Sequence, residues 1–142
     1  MRVDCALLCD AVTIREGLLH ILGGGITRAN RVSFPAPLNM SLALRIMVHP
    51  TETQDAHKIQ VRLMNEDGAD VAQIDGEFQH SDPSAKDLAL GEESAMALQI
   101  GFNLALPKAG AYSFEILIDG VHQTSVPFRA VLVTIDEGGK EE

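Results

Sequence analysis

Three consecutive glycines, Gly23, Gly24 and Gly25, lie in the stretch HILGGGITRAN. Glycine runs are how phosphate-binding loops bring backbone N–H groups against oxygen atoms. The surroundings do not fit that chemistry. A P-loop needs a lysine and a hydroxyl at the entry to a helix, and a dinucleotide site needs G-x-G-x-x-G between strand and helix. Here Ile26, Thr27, Arg28 and Ala29 follow, in what reads as further strand. The run is expected to be a bulge or sharp bend where the chain passes from one sheet to the other. A neighbouring backbone, the chain's own or a partner subunit's, is expected close to it.

Of the five histidines, His20, His49, His57, His80 and His122, only His49 and His57 are expected to meet, as the mouth of a hairpin with loop 50–56. Two imidazoles do not make a zinc site, and Glu52 or Asp55 would have to supply a third ligand. The plainer expectation is solvated residues at a hairpin mouth. Carboxylates recur at Glu66, Asp67 and Asp70 and again at Asp75 and Glu77, with Asp82 and Asp119 as further contributors. Loops at one end of a sandwich can gather such groups around calcium, yet no D-x-[DN]-x-[DN]-G spacing is present. Acids that keep hairpin tips soluble explain them more simply.

Cys5 and Cys9 are the only cysteines. On one face of a strand they would stand about 13 Å apart, beyond disulfide reach, and no second pair completes a metal site. Two reduced, core-packed thiols fit a cytosolic chain. No G-x-S-x-G or S-x-x-K motif occurs, and neither cysteine has a convergent histidine. One Tyr and no Trp leave a sugar-binding cleft poorly supplied with stacking surfaces. No residue is therefore assigned a catalytic, cofactor-binding or metal-ligating role, and no cofactor is expected.

The elements that must carry these residues read as strands. Leu38, Met40, Leu42, Leu44, Ile46 and Val48 occupy every second position, as do Ile59, Val61 and Leu63, and Met96 through Leu106. Tyr112, Phe114, Ile116 and Ile118 share a face, and Val126, Phe128 and Ala130 another. This period of two belongs to half-buried strands. NEDG at 65–68 and IDG at 118–120 read as hairpin tips, LPKAG at 106–110 as a reversal, and FPAP at 34–37 as a proline-stiffened crossing. The expected strands span 3–10, 12–22, 26–33, 38–48, 57–65, 70–79, 95–106, 111–118 and 121–134, with the second and third allowed to be one bent strand. Residues 80–94 form the one long irregular stretch, with a helical turn expected after Asp82–Pro83.

The fold class is accordingly all-β: an antiparallel β-sandwich of about eight strands, immunoglobulin-like or jelly-roll in style. Residues 1–134 are expected to be its single domain and 135–142 an acidic flexible tail. A chain of 142 residues buries roughly two-thirds of its unfolded surface and needs no staple. Twenty acidic against eleven basic residues give a net charge of −9, a field that repels phosphate backbones and anionic lipid. Neither nucleic acid nor membrane is expected as a partner. No signal peptide is read at the start, and the cytoplasm is the expected location.

The stretches ALLCDAVTIREGLLHILGGGITR, FPAPLNMSLALRI, NEDG and AGAYSFEILIDGVHQTSVPFRAVLV together resemble a family of small bacterial β-sandwich proteins of unknown function, over about residues 4–133. The closing hairpin also resembles the last two strands of many bacterial immunoglobulin-like sandwiches. The resemblance implies the fold and no activity.

Ala43, Met47, Met64, Ala72, Ala97, Gly101, Ala105 and Leu117 stand opposite the core stripes, where a solvated sheet would carry more charge. Such residues imply a covered face, unless the two sheets divide their core differently. The expected function is a non-catalytic interaction module with a protein partner or itself, as a homo-oligomer. The alternatives are a small metal-dependent or ligand-binding enzyme with a site on the sandwich-end loops, and a virion or assembly component.

Overall fold

Alternation of apolar and polar residues becomes nine strands in the computed structural model, which describes residues 1–53, 55–80 and 91–134. In chain order they are β1 (Arg2–Arg15), β2 (Leu18–Gly24), β3 (Arg28–Arg31), β4 (Ala36–Val48), β5 (His57–Asn65), β6 (Asp70–Phe78), β7 (Ser94–Leu106), β8 (Gly110–Ile118) and β9 (Val121–Leu132), with a single 3-10 turn at Pro50–Glu52. One sheet runs β2-β1-β4-β7 and the other β3-β9-β8-β5-β6. With β9, β8, β5 and β6 taken as strands G, F, C and C′ and β1, β4 and β7 as strands A, B and E, these neighbours follow the order of an immunoglobulin-like sandwich, to which β2 and β3 are added at the edges. Of the two styles expected, this is the one adopted.

The core sits between the sheets. Leu38, Leu42, Leu44, Ile46 and Val48 of β4 face Val61, Leu63, Phe114, Ile116 and Phe128 across it. Each such side chain contributes about 1.5–3 kcal/mol by leaving water. The Phe114 ring lies 4.9 Å from that of Phe102 and 5.5 Å from that of Phe128, tying β7, β8 and β9 into one aromatic layer. Tyr112 is the third residue of β8, and its hydroxyl donates to the Lys108 carbonyl at 2.6 Å. This is the tyrosine corner of such sandwiches.

Turn chemistry lies where the residues indicate. Gly68 has φ 80°, and Asn65 Oδ1 accepts from the N–H groups of Asp67 and Ala69, both at 3.0 Å. Asp119 and Gly120 both have left-handed φ, which matches the twist of a two-residue hairpin. Prolines 37 and 127 sit within interior strands, at positions where one neighbour is missing. β1 pairs with β4 only as far as Ser41, and β3 pairs with β9 only from Arg129 onward. The absent N–H therefore costs no ladder bond.

Four expectations are corrected. No break occurs near residue 11: β1 continues to Arg15 and turns at Glu16 and Gly17, with φ 54° and 74°. The spans 12–22 and 26–33 are not one bent strand, because β2 and β3 lie in different sheets. The sandwich is not wholly antiparallel, since β3 runs parallel to β9. Residues 49 and 57 do not bound a hairpin: β4 and β5 belong to opposite sheets, so 50–56 is a crossover. The helical turn expected after Asp82 and the tail 135–142 lie outside the described residues.

Candidate functional site

Gly23–Gly25 stand where the chain leaves the first sheet for the second, with no helix after them. The N–H groups of Gly25 and Ile26 donate to the Leu8 carbonyl, each at 2.9 Å. A β-carbon on Gly24 would lie 2.8 Å from Ile21 Cγ2 and 3.6 Å from Leu7 Cδ1. The backbone brought close to the run is thus the protein's own β1, which meets the expectation of a bend between sheets.

The zinc candidates gather around the 3-10 turn, where His49, His57 and Glu52 are otherwise engaged. His49 caps the turn: its Nδ1 accepts from the Thr51 N–H at 3.2 Å, and its own N–H donates to Glu52 Oε1 at 3.1 Å. His57 is buried, with Nε2 donating to the Glu52 carbonyl at 3.0 Å and Nδ1 facing Asp119 Oδ2 at 2.6 Å. Asp119 Oδ1 accepts the Lys58 N–H at 2.9 Å. Both ring nitrogens face acceptors, so the protonated imidazole satisfies both. The hydrogen bond to Asp119, then that to Glu52, hold the His57 pKa above its ordinary value. His57 and Asp119 thereby clasp the crossover to the β8–β9 turn. Asp55 lies exposed in the crossover.

The calcium candidates divide between opposite ends of the second sheet. Glu66, Asp67 and Asp70 mark the β5–β6 turn. Asp75, Glu77 and Asp119 line, with Lys58 and Gln60, a shallow depression of about 510 Å³ at the other end. Gln60 and Gln73 already donate to Asp75; Asp82 lies outside the described residues. Among the described residues no group of three or more His, Cys, Asp or Glu is disposed to hold a metal ion.

Sequence inspection missed one constellation that imitates a catalytic triad. Ser125, His122 and Glu115 meet on the outer face of the second sheet, with His122 Nε2 2.8 Å from Glu115 Oε2 and 3.3 Å from Ser125 Oγ. A relay needs the acid on one ring nitrogen and the hydroxyl on the other. Here one nitrogen serves both, and Ser125 donates directly to Glu115. The group is a cross-strand hydrogen-bond cluster. The two thiols are unpaired. Cys9 is buried and donates to the Ser41 carbonyl at 3.3 Å, and burial, followed by the nearby Asp10 charge, raises its pKa.

The sheet edges differ more than any of these clusters. In the second sheet, edge strand β6 carries Asp70, Asp75 and Glu77, and edge strand β3 is four residues long with an arginine at each end. Charge and brevity are the ordinary protections of an edge. The first sheet has neither. β7 is thirteen residues, SAMALQIGFNLAL, without a charge or a proline. It pairs residue for residue with β4, without a bulge, and among the described residues no strand lies on its other side. Its core-facing row, Met96, Leu98, Ile100, Phe102 and Leu104, is only half-buried. The opposite edge, β2, is likewise uncharged, with Leu18 63% and Leu22 70% exposed.

The β1–β2 ribbon also accounts for part of the expected covered face. β1 pairs with β4 up to Cys9 and with β2 from Cys9 onward. Both β1 and β2 approach β7 although β4 lies between, and Leu7 of β1 is the ladder partner of Ala43. Ala43 is fully buried, whereas Gly101 and Ala105 are exposed.

A family model described as a family of unknown function, DUF6941, matches residues 4–131. No curated protein matches the chain.

Proposed function

The chain belongs to DUF6941, a family of unknown function, and on that footing we propose that it is a non-catalytic interaction module that binds protein through its four-stranded sheet. One observation carries the reading: both edges of the second sheet are shielded by charge or brevity, and both edges of the first are uncharged. An unshielded edge offers a row of N–H and C=O groups to another strand, with side-chain pockets on alternate sides for specificity. The −9 charge favours a protein partner over nucleic acid or an anionic membrane. The unpaired thiols fit a reducing compartment, and the proposed setting is the bacterial cytosol.

The test compares immobilised wild-type protein with the double variant Gln99→Lys/Asn103→Lys, both positions being exposed on β7. Each is exposed to native cytosol and the retained proteins are identified by mass spectrometry. Proteins held by the wild type and lost from the variant support the reading. Identical retention by both sinks it.

A further inference from the structure

Resting on that reading, we infer that the strand seated on β7 is β7 of a second copy, running antiparallel about a twofold axis at Ile100. The length of the edge argues for it. Thirteen residues at about 3.4 Å each make a seam about 44 Å long, and the strand that matches it residue for residue is β7 itself, since β2 spans only seven residues. Charge argues for it as well. Two copies of a −9 chain repel, and they approach most cheaply along a segment that bears no charge. The pattern of burial points the same way. The core of the sandwich is open beside β7, where Met96, Leu98, Ile100, Phe102 and Leu104 are half-buried.

The register that pairs all thirteen residues sets Leu98 opposite the partner's Phe102 and Met96 opposite its Leu104. Each core-facing row thus continues into the other copy's. On the outer side it sets Gln99 opposite Gly101 and Ala97 opposite Asn103, small or uncharged pairs throughout. Such an interface is isologous, so it closes on itself and stops at two copies. The absence of any bulge in the β4–β7 ladder keeps the edge regular over its whole length.

The two Gln99 side chains become diagonal neighbours across the axis, about 7–8 Å apart. Sedimentation velocity across a concentration series is the assay, on wild type, Gln99→Lys, Gln99→Glu and a 1:1 mixture of the two variants. Gln99 is exposed, and a thermal melt confirms that each variant is folded. The expected result is a wild-type dimer, a dissociation constant raised about tenfold or more in each variant by like charges, and recovery of the dimer in the mixture. A dimer indifferent to either charge, or not recovered in the mixture, overturns the β7 pairing and places self-association elsewhere. A wild-type monomer overturns it too, and hydrogen exchange then separates two cases. Rapidly exchanging outer β7 amides leave the edge to a different protein, which the retention experiment judges. Protected ones assign the edge to the chain's own residues and remove the edge-binding reading with it.

Discussion

Replacing Asp119 by Asn tests whether the His57 clasp is an ion pair. Asp119 Oδ2 meets His57 Nδ1 at 2.6 Å and Oδ1 accepts the Lys58 N–H at 2.9 Å. Asn has one oxygen for those two donors, so one donor is left facing an NH2 group. The turn itself is not strained by the change, because Asn tolerates the φ of 51° as Asp does. A charge-assisted hydrogen bond contributes about 1.5–3 kcal/mol. The His57 side chain is 10% exposed but that of Asp119 is 50% exposed, and screening brings the expected loss to about 1–2 kcal/mol. The His57 pKa is raised, so its contribution is complete below the ordinary histidine value of about 6.5 and fades as pH rises through the folded-state value. The Asp119 pKa is lowered, first by His57 and then by the Lys58 N–H. Its contribution is present above the ordinary value of about 3.9 and is lost as pH falls through the folded-state value. The clasp is therefore strongest from about pH 4.5 to 6. Chemical denaturation of wild type and Asp119→Asn at pH 5.5 and 8.5 should show the difference shrinking at the higher pH to about 0.5–1 kcal/mol, the worth of a neutral hydrogen bond. A difference of only about 0.5–1 kcal/mol already at pH 5.5, unchanged at pH 8.5, would show that His57 is neutral throughout and refute the ion pair.

Tyr112→Phe should cost about 1–1.5 kcal/mol, because it leaves the Lys108 carbonyl without the hydroxyl that meets it at 2.6 Å; an unchanged denaturation midpoint would contradict this. Gly24→Val is expected to destabilise by about 1–3 kcal/mol through its collision with the stiff, β-branched Ile21, and nucleotide binding by calorimetry should be as blank after the change as before. Iodoacetamide should label the half-buried Cys5 well before Cys9, which is fully buried with its thiol pKa raised; equal rates in peptide mass mapping would place Cys9 within reach of solvent.

Strands whose apolar faces point into the core were legible residue by residue. β5 spans 57–65 as expected, and β4, β7 and β8 differ by one or two residues at an end. Local turn chemistry was legible too wherever glycine follows Asp. Asp10 misled because a charge inside an apolar run resembles a strand end. It is instead an exposed residue beside the point where β1 exchanges β4 for β2. The true reversal at Glu16–Gly17 relies on a glutamate in the left-handed region, which few side chains favour. Of the candidate site residues, His57 and Asp119 were each singled out, for zinc and for calcium, but their partnership spans 62 positions and has no local signature. The parallel β3–β9 contact joins residues about a hundred apart in the chain and is equally invisible to periodicity. The contrast among edges could have been drawn from strand composition once it was known which strands lie outermost, and only the topology supplies that.

The β3–β9 contact also sets how the protein should respond to force. Its four residue pairs run parallel, and the ladder is extended by the Arg129 N–H to the Thr27 carbonyl and the Val133 N–H to the Arg31 carbonyl. Tension applied between the start of β3 and the end of β9 pulls these strands lengthwise past one another, so their evenly spaced hydrogen bonds take the strain together. The antiparallel hairpins, pulled at their open ends, would instead peel one bond at a time. Mechanical strength is thus concentrated in one of the shortest contacts of the sandwich, at a place that contributes little of its buried core.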